Sequence, residues 1–323
     1  VPRFDLDAFF RSRPSILAPM EDVTDAVFRA VCRARGAELC VTEFVNAEGL
    51  VGGAAEAAEK IALEPGDAPT AIQIYGVDPT RLADAAEIAE RAEPAFIDLN
   101  CGCWVPKVAR TGAGAGWLGE PAAMVAMARL VVARVSLPVT VKTRIGLGTE
   151  EKMPIVELAR RLEDAGVRAI TIHCRTAKKG HDGKADWSWA RKARAAVSIP
   201  VIVNGDVRSD DDAERALCET RCAGVMIGRR AIEHPWVFRE VRHRLDGKGS
   251  LPRPTHAERV ALAKEHLLRL RDARGERAAV RAMRRLYPGY LEGVPDATTV
   301  LRRLPGLSEL AAVLEVLDGI LDD

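Results

Sequence analysis

From residue 15 to about residue 238 the chain alternates short apolar runs with longer amphipathic stretches. Eight apolar runs read as strands, at residues 16–18, 39–42, 71–74, 96–99, 139–142, 169–173, 201–204 and 224–227. Continuous short runs of this kind suit strands buried on both faces. Between them lie helix-like stretches such as 79–91, 121–135, 151–165 and 210–220. Pro79, Pro121 and Pro154 sit near helix starts, where a missing N–H costs little. Gly36 and Gly166 fall where helices should stop. Strand–helix alternation implies a parallel sheet. Eight repeats of it predict a closed (β/α)8 TIM barrel, an α/β fold, with an open doubly wound sheet as the alternative.

The pattern changes after residue 245. Residues 246–254, with Gly247, Gly249, Pro252 and Pro254, read as a linker. Beyond it the periodicity is purely helical, with helices expected at 256–274, 277–287, 297–304 and 307–321. The expectation is therefore a barrel domain over 1–245 and a small all-α domain over 255–323.

Composition adds little to the fold but narrows the function. The 323 residues suit a barrel of about 250 plus a small extra domain. Formal net charge is +1, so there is no global basic signal for nucleic acid. There is a local one: residues 251–303 hold twelve Lys or Arg against six Asp or Glu. Arg269, Arg271, Arg274, Arg277, Arg281, Arg284 and Arg285 crowd two of the expected helices. Such a run is either a solvated helix face or a surface for phosphate backbones. Seven cysteines, an odd number in a long chain, fit a reduced cytoplasmic setting. Their spacing offers no convincing metal site, since a tetrahedral zinc needs four suitably spaced ligands. The N-terminus has no signal-peptide pattern, and no apolar run approaches the roughly 20 residues that span a bilayer. No metal and no membrane are expected.

In a barrel the strand C-termini converge on one mouth. Here those ends carry Pro19-Met20, Glu43, Gln73, Asn100 to Cys103, Lys142 and Arg144, His173 and Arg175, Asn204-Gly205-Asp206, and Gly228-Arg229. Lys, His and Asn closing apolar strands must be satisfied by something, and their convergence marks an active site. A lone thiol just past a strand is more often structural than reactive. Seven polar companions at the same mouth reverse that balance. Gly205, Gly228 and Arg229 lie where barrels commonly hold phosphate. Lys142 can stabilise an anion developing on a ring, His173 can donate or carry a proton, and Gln73 can meet a ring edge of carbonyls and N–H groups. A phosphate site beside a ring site points to a phosphorylated heterocyclic cofactor.

These residues resemble the flavin-dependent tRNA-dihydrouridine synthase family. The resemblance runs through Leu17-Ala-Pro-Met-Glu-Asp-Val-Thr-Asp25, Cys40 to Phe44, Asn100-Cys-Gly-Cys103 with Lys107-Val108 and Gly112 to Gly116, Val141-Lys-Thr-Arg144, His173-Cys-Arg-Thr176, Gly183 to Trp187, Asn204-Gly-Asp206 and Gly228-Arg229, in that order. It implies FMN as cofactor, NADPH as reductant, and reduction of the C5–C6 bond of uridine in tRNA. It implies that Pro19, Met20, Glu21, Gln73, Lys142, His173, Asn204, Gly205, Asp206, Gly228 and Arg229 hold FMN. Cys103, rather than Cys101, would be the proton donor. Asn100 and Arg175 would contact uracil or flavin, and the C-terminal helices, with Arg281, Arg284 and Arg285, would bind tRNA. A monomer is favoured.

The sequence departs from the family pattern in two places. Trp104 follows the second cysteine where proline is usual, with Pro106 two residues on, and Lys179 and His181 stand where Gln and Tyr are more frequent. The rival readings are an FMN barrel acting on a free pyrimidine or a non-tRNA RNA, a non-catalytic RNA-binding module, and a barrel using Lys142 as a Schiff base. The helical tail counts against a free base as substrate, and Cys103 with Lys142 counts against a non-catalytic module.

Overall fold

The structure, a computed structural model, describes residues 4–148 and 153–320. Nine strands form one parallel sheet: β1 (Ser15–Leu17), β2 (Leu39–Val41), β3 (Val45–Asn46), β4 (Thr70–Tyr75), β5 (Ile97–Cys101), β6 (Val139–Arg144), β7 (Ala169–His173), β8 (Val201–Asn204) and β9 (Gly224–Ile227). The sheet closes on itself: β1 pairs with both β2 and β9, and β2 pairs onward with β4. The eight strands expected from the sequence therefore make a (β/α)8 barrel, and the open-sheet alternative falls. β3 was not anticipated. It is a two-residue strand laid on β4 through Val45↔Ile74 and Asn46↔Tyr75, too short to leave a periodic signal.

Side chains alternate across each strand. Outward positions such as Ile72, Leu99, Val141, Ile170, Val203 and Val225 pack against the surrounding helices. Inward positions Ile16, Leu39, Ala71, Ala169, Ile202 and Met226 form a separate apolar plug. Leu6 and Phe10 of helix Leu6–Arg11 belong to that plug and close one end of the barrel.

Helix starts follow the capping signals. Asp78 accepts from the N–H of Thr80 at 2.8 Å and of Arg81 at 3.0 Å, opening helix Pro79–Glu90. Ser209 accepts from Asp212 N–H at 3.1 Å and opens helix Asp210–Thr220. Gly166 takes φ +94° just past helix Ile155–Asp164, as a helix stop requires. Part of the helix expected over 151–165 lies outside the described residues.

No helix or strand lies between Leu245 and His256. A capping box of Thr255 and Glu258 then starts helix His256–Arg274. The helix expected over 277–287 divides into Glu276–Met283 and Tyr287–Tyr290. Pro288 explains the division, because it lacks an N–H and suits the start of the second piece. The last helix, Leu310–Gly319, begins after a 3-10 turn at Leu304–Gly306, later than expected. These helices share an apolar core that takes in Val31 and Trp236 from the barrel side. Phe28 stacks on His266 at 5.9 Å, and a Cβ on Gly289 would meet Glu233 Cα at 2.3 Å, so the helical region is seated closely on the barrel. Among the described residues no helix is long and apolar enough to cross a membrane.

Candidate active site

The period-2 alternation that fills the barrel with apolar side chains at one end fills it with polar ones at the other. On β4 to β8 the inward residues are Gln73, Asp98, Asn100, Thr140, Lys142, Arg144, Thr171, His173 and Asn204, all buried or half-buried. Register sets them side by side: Asn100 opposite Lys142, Arg144 opposite His173, His173 opposite Asn204. Cys101 falls on the other phase. It is fully buried among the outward-facing apolar residues, and burial pushes its thiol far up.

The loop after β5 is built around Asn100. Its Oδ1 accepts the N–H of Gly102 at 3.1 Å and of Cys103 at 2.9 Å, while its Nδ2 donates to Gln73 Oε1 at 2.8 Å. Gln73 Nε2 donates in turn to Asp98 at 2.6 Å. This buried chain of amides fixes the turn that carries Cys103, because every donor and acceptor in it has a partner. From the other side, Ala115 N–H donates to Cys103 O at 2.9 Å. Gly114, at φ +56°, must be glycine there, since a Cβ would lie 2.6 Å from that same oxygen. Cys103 is half-buried and faces the mouth. Desolvation raises its pKa, against the opposing pull of the Val105 N–H and the Lys142 charge. It is a protonated thiol at neutral pH.

Across the mouth the site is cationic. Burial and the neighbouring Arg144 lower the Lys142 ammonium to about 8. Its partner is the Asn204 Oδ1, at 3.3 Å, whose amide donates to Met226 O at 2.8 Å. Burial, with Arg144 and Lys142, drives the His173 pKa far down, so the ring is neutral. No hydrogen-bond partner for this imidazole is present among the described residues. Arg144 ties two loops together, donating to Gly102 O at 2.9 Å in one, and to Thr176 O at 3.0 Å and Gly180 O at 2.8 Å in the other. Gly205 has φ +112°, and a Cβ there would crowd Ala185 at 3.0 Å and His173 at 3.1 Å. Asp206 follows, also at positive φ, clamped by both its oxygens to Arg175 Nη2 at 2.7 and 2.8 Å and reached by Arg229 at 3.5 Å. Burial would raise its carboxyl, but Arg175 and the Ala185 N–H hold it below the usual range.

Together these residues line a cleft of about 420 Å³, a volume in the range of small-molecule sites. It gathers twelve of the sequence-predicted residues: Pro19, Met20, Glu21, Asn100, Cys103, Lys142, His173, Asn204, Gly205, Asp206, Gly228 and Arg229. Gln73 lies beneath it, fully buried behind Asn100. Arg175 is buried beside it, with its guanidinium turned onto Asp206 and the carbonyls of Asp182 and Gly183, so its place is that of a clamp on the Asn204–Asp206 turn. Arg281, Arg284 and Arg285 are elsewhere. They are exposed on the helical region and line a second, larger cleft of about 890 Å³, opposite Asp22, Glu56, Glu59 and Lys60 of the barrel.

Several lining residues had no assigned role in the sequence reading: Phe44, Trp104, Arg144, His181, Arg208 and Arg230. Arg144 closes an apolar strand on the inward phase, a signal equal to that of Lys142. Arg208 and Arg230 stand two residues or fewer from recognised turns, where sequence gives no direction. Glu21, Asp22 and Glu43 bring carboxylate oxygens within 4.8 Å of one another, with Lys60 paired to Glu21 at 3.0 Å.

The dihydrouridine synthase (Dus) family model matches residues 16–321. The chain is 34% identical over 302 residues to a probable tRNA-dihydrouridine synthase 1 of Synechocystis sp., covering 93% of this chain and 84% of that one. It is 36% identical over 292 residues to a probable tRNA-dihydrouridine synthase of Aquifex aeolicus, covering 89% and 90%. Among solved structures, a 2-naphthoyl-CoA reductase complex superposes with a TM-score of 0.54 at 13% identity, over 71% of this chain and 49% of that one, a likeness of fold alone. A match that runs through the whole barrel and the helical region, on a chain whose strand ends converge on Cys103 and Lys142, places this protein in the dihydrouridine synthase family.

Proposed function

We propose that this protein is a tRNA-dihydrouridine synthase: an FMN-dependent oxidoreductase that reduces the C5–C6 bond of specific uridines in tRNA with electrons from NADPH. The observation that carries the proposal is the position of Cys103, a protonated thiol on a hydrogen-bonded loop, facing the same cleft as the half-buried Lys142 ammonium.

The residues fit a flavin phosphate. Lys142 has an amide, not a carboxylate, as its partner, so its charge is available to an anionic ring edge. Among the described residues the His173 imidazole has the His181 ring beside it and no hydrogen bond, and Nη1 of the buried Arg175 guanidinium has no hydrogen-bond partner either. Arg208, Arg229 and Arg230 surround the Gly205 and Gly228 turns, where phosphate oxygens would find both charge and close backbone approach. Lys142, His173 and Asn204 would hold the ring, and Gly205, Gly228 and Arg229 the phosphate.

When bound and reduced, FMN would supply the hydride that adds to C6 of uracil. The remaining work belongs to the protein. Negative charge that develops at C5 and the uracil carbonyl needs a proton, and the Cys103 Sγ–H is the donor placed to give it. Asn100 holds the thiol loop to the barrel. Lys142 holds positive charge where electron density shifts. The target base must leave its stack to reach the cleft, and loop uridines make this less costly. Residues 1–245 would then be the catalytic domain and 255–323, joined by 246–254, the tRNA-binding domain, with Arg281, Arg284 and Arg285 in contact with phosphates. The cysteines, free among the described residues, suit work in the cytoplasm.

The purified protein should be yellow, or should take up FMN and gain flavin absorbance. Colourless protein that binds no FMN would remove the proposal.

A further inference from the structure

Two of the few large apolar side chains left exposed on this protein are neighbours of the thiol: Trp104 at 37% and Val105 at 45%. An exposed indole is uncommon on a surface with no partner, and this one sits on the wall of the cleft that holds Cys103 and Lys142. Its other side is fixed. The six-membered ring lies on Gly180, whose φ is +54° and where a Cβ would come within 3.1 Å of the indole. Edge-on to it, at 5.8 Å and 89°, stands His181, and His181 lies 5.9 Å from His173. Three rings therefore step from the rim of the cleft to its floor.

The step is held rigid from below. Arg144 binds Gly102 O and Gly180 O at once, which locks the Trp104 loop to the His181 loop. Burial and the nearby Arg229 lower His181 to about 4, so it is a neutral ring near pH 7. A preformed aromatic surface costs little entropy to use. Arg208, Arg229 and Arg230 line the same cleft, so a ligand with both flat rings and phosphates is matched in both respects.

We propose that Trp104 is a specificity-determining residue: its exposed indole stacks on the nucleobase that flanks the reduced uridine in the RNA chain. This rests on the reading of the cleft as a uridine-reducing site. Cys103 lies on the wall of the cleft beside the base to be reduced, and Trp104 is the next residue outward. The base it meets is therefore a neighbour in the chain and not the reacting one. Trp104 thereby favours substrates in which that neighbour is free to unstack.

The test uses the full-length flavoprotein and tRNA transcript, with Trp104→Phe and Trp104→Ala. Adding tRNA should quench tryptophan emission in the wild type, and Trp104→Phe should lose that component while keeping tRNA affinity within about threefold. Trp104→Ala should weaken tRNA binding by between about fivefold and a hundredfold, the range that base–aromatic stacking supports. KM for tRNA should rise by a similar factor, with kcat within about threefold. Alkylation of Cys103 by iodoacetamide should be unchanged in Trp104→Ala, which separates stacking from support of the thiol loop. Equal affinity in all three proteins, or a loss of affinity matched by altered Cys103 alkylation, overturns the inference. Wild-type protein that binds no tRNA would overturn the proposed function as well, whereas wild-type turnover with an undiminished Trp104→Ala would sink the stacking alone.

Discussion

Asn100 holds Cys103: its Oδ1 accepts the Cys103 N–H at 2.9 Å while its Nδ2 is anchored to Gln73 at 2.8 Å. Asn100 ends a barrel strand and Cys103 begins the loop, so the thiol inherits the position of the sheet. Asn100→Ala leaves two loop N–H groups without their acceptor. Uridine reduction should fall by at least about tenfold, because a small displacement of an acid from its target is costly. Flavin content should stay near wild type. A kcat within twofold of wild type would contradict the anchoring role.

The two cysteines of the loop should behave differently. Cys103→Ala should retain FMN and lose about 10²-fold or more in uridine reduction, the usual contribution of a positioned acid. Cys101→Ala should keep its turnover, because Cys101 points out of the barrel into the helix layer. Single-turnover reduction of tRNA by each reduced variant reads the difference directly.

Lys142 carries a pH signature. In the free protein its pKa is lowered to about 8, so near pH 8 half the molecules lack the charge. An anionic ligand favours the charged form and raises that pKa. FMN binding near pH 8 should therefore take up protons, and affinity should fall as pH rises through about 8. Calorimetry in two buffers of different ionisation enthalpy measures the uptake. Lys142→Met should abolish it and weaken flavin retention. Unchanged uptake would assign the titration to another group.

The exposed arginines of the helical region should act on RNA and not on flavin. Reversing Arg281, Arg284 and Arg285 to Glu should weaken tRNA binding and flatten the plot of log affinity against log salt by about two to three units. Flavin content should be unaltered, since these residues lie in the second cleft. Identical salt dependence would return them to a solvated helix face.

Much of this site was legible in the sequence because barrel strands are short and strictly alternating. An Asn, Lys or His that closes an apolar strand has little choice but to face the mouth, and Asn100, Lys142, His173 and Asn204 all do. What sequence did not reveal is how side chains are spent within the site. Arg175 resembles a ligand-binding residue, yet half-buried Asp206 and Gly183 O take its Nη2 and Nε. Gln73 lies fully buried beneath the cleft, with its amide bonded to Asn100 and Asp98, a placement that strand alternation alone does not give. The pairing of Trp104 with His181 joins two loops separated by two strands and the helices that precede them, and no local pattern encodes such a contact. β3 escaped for a simpler reason: two residues carry no period.

The most direct measurement of the central claim is nucleoside mass spectrometry on unmodified tRNA transcript incubated with the purified protein, FMN and NADPH. The account predicts dihydrouridine at a defined position with wild-type protein, and its near loss with Cys103→Ala. Flavin-loaded wild-type protein that binds tRNA and forms no dihydrouridine would contradict it.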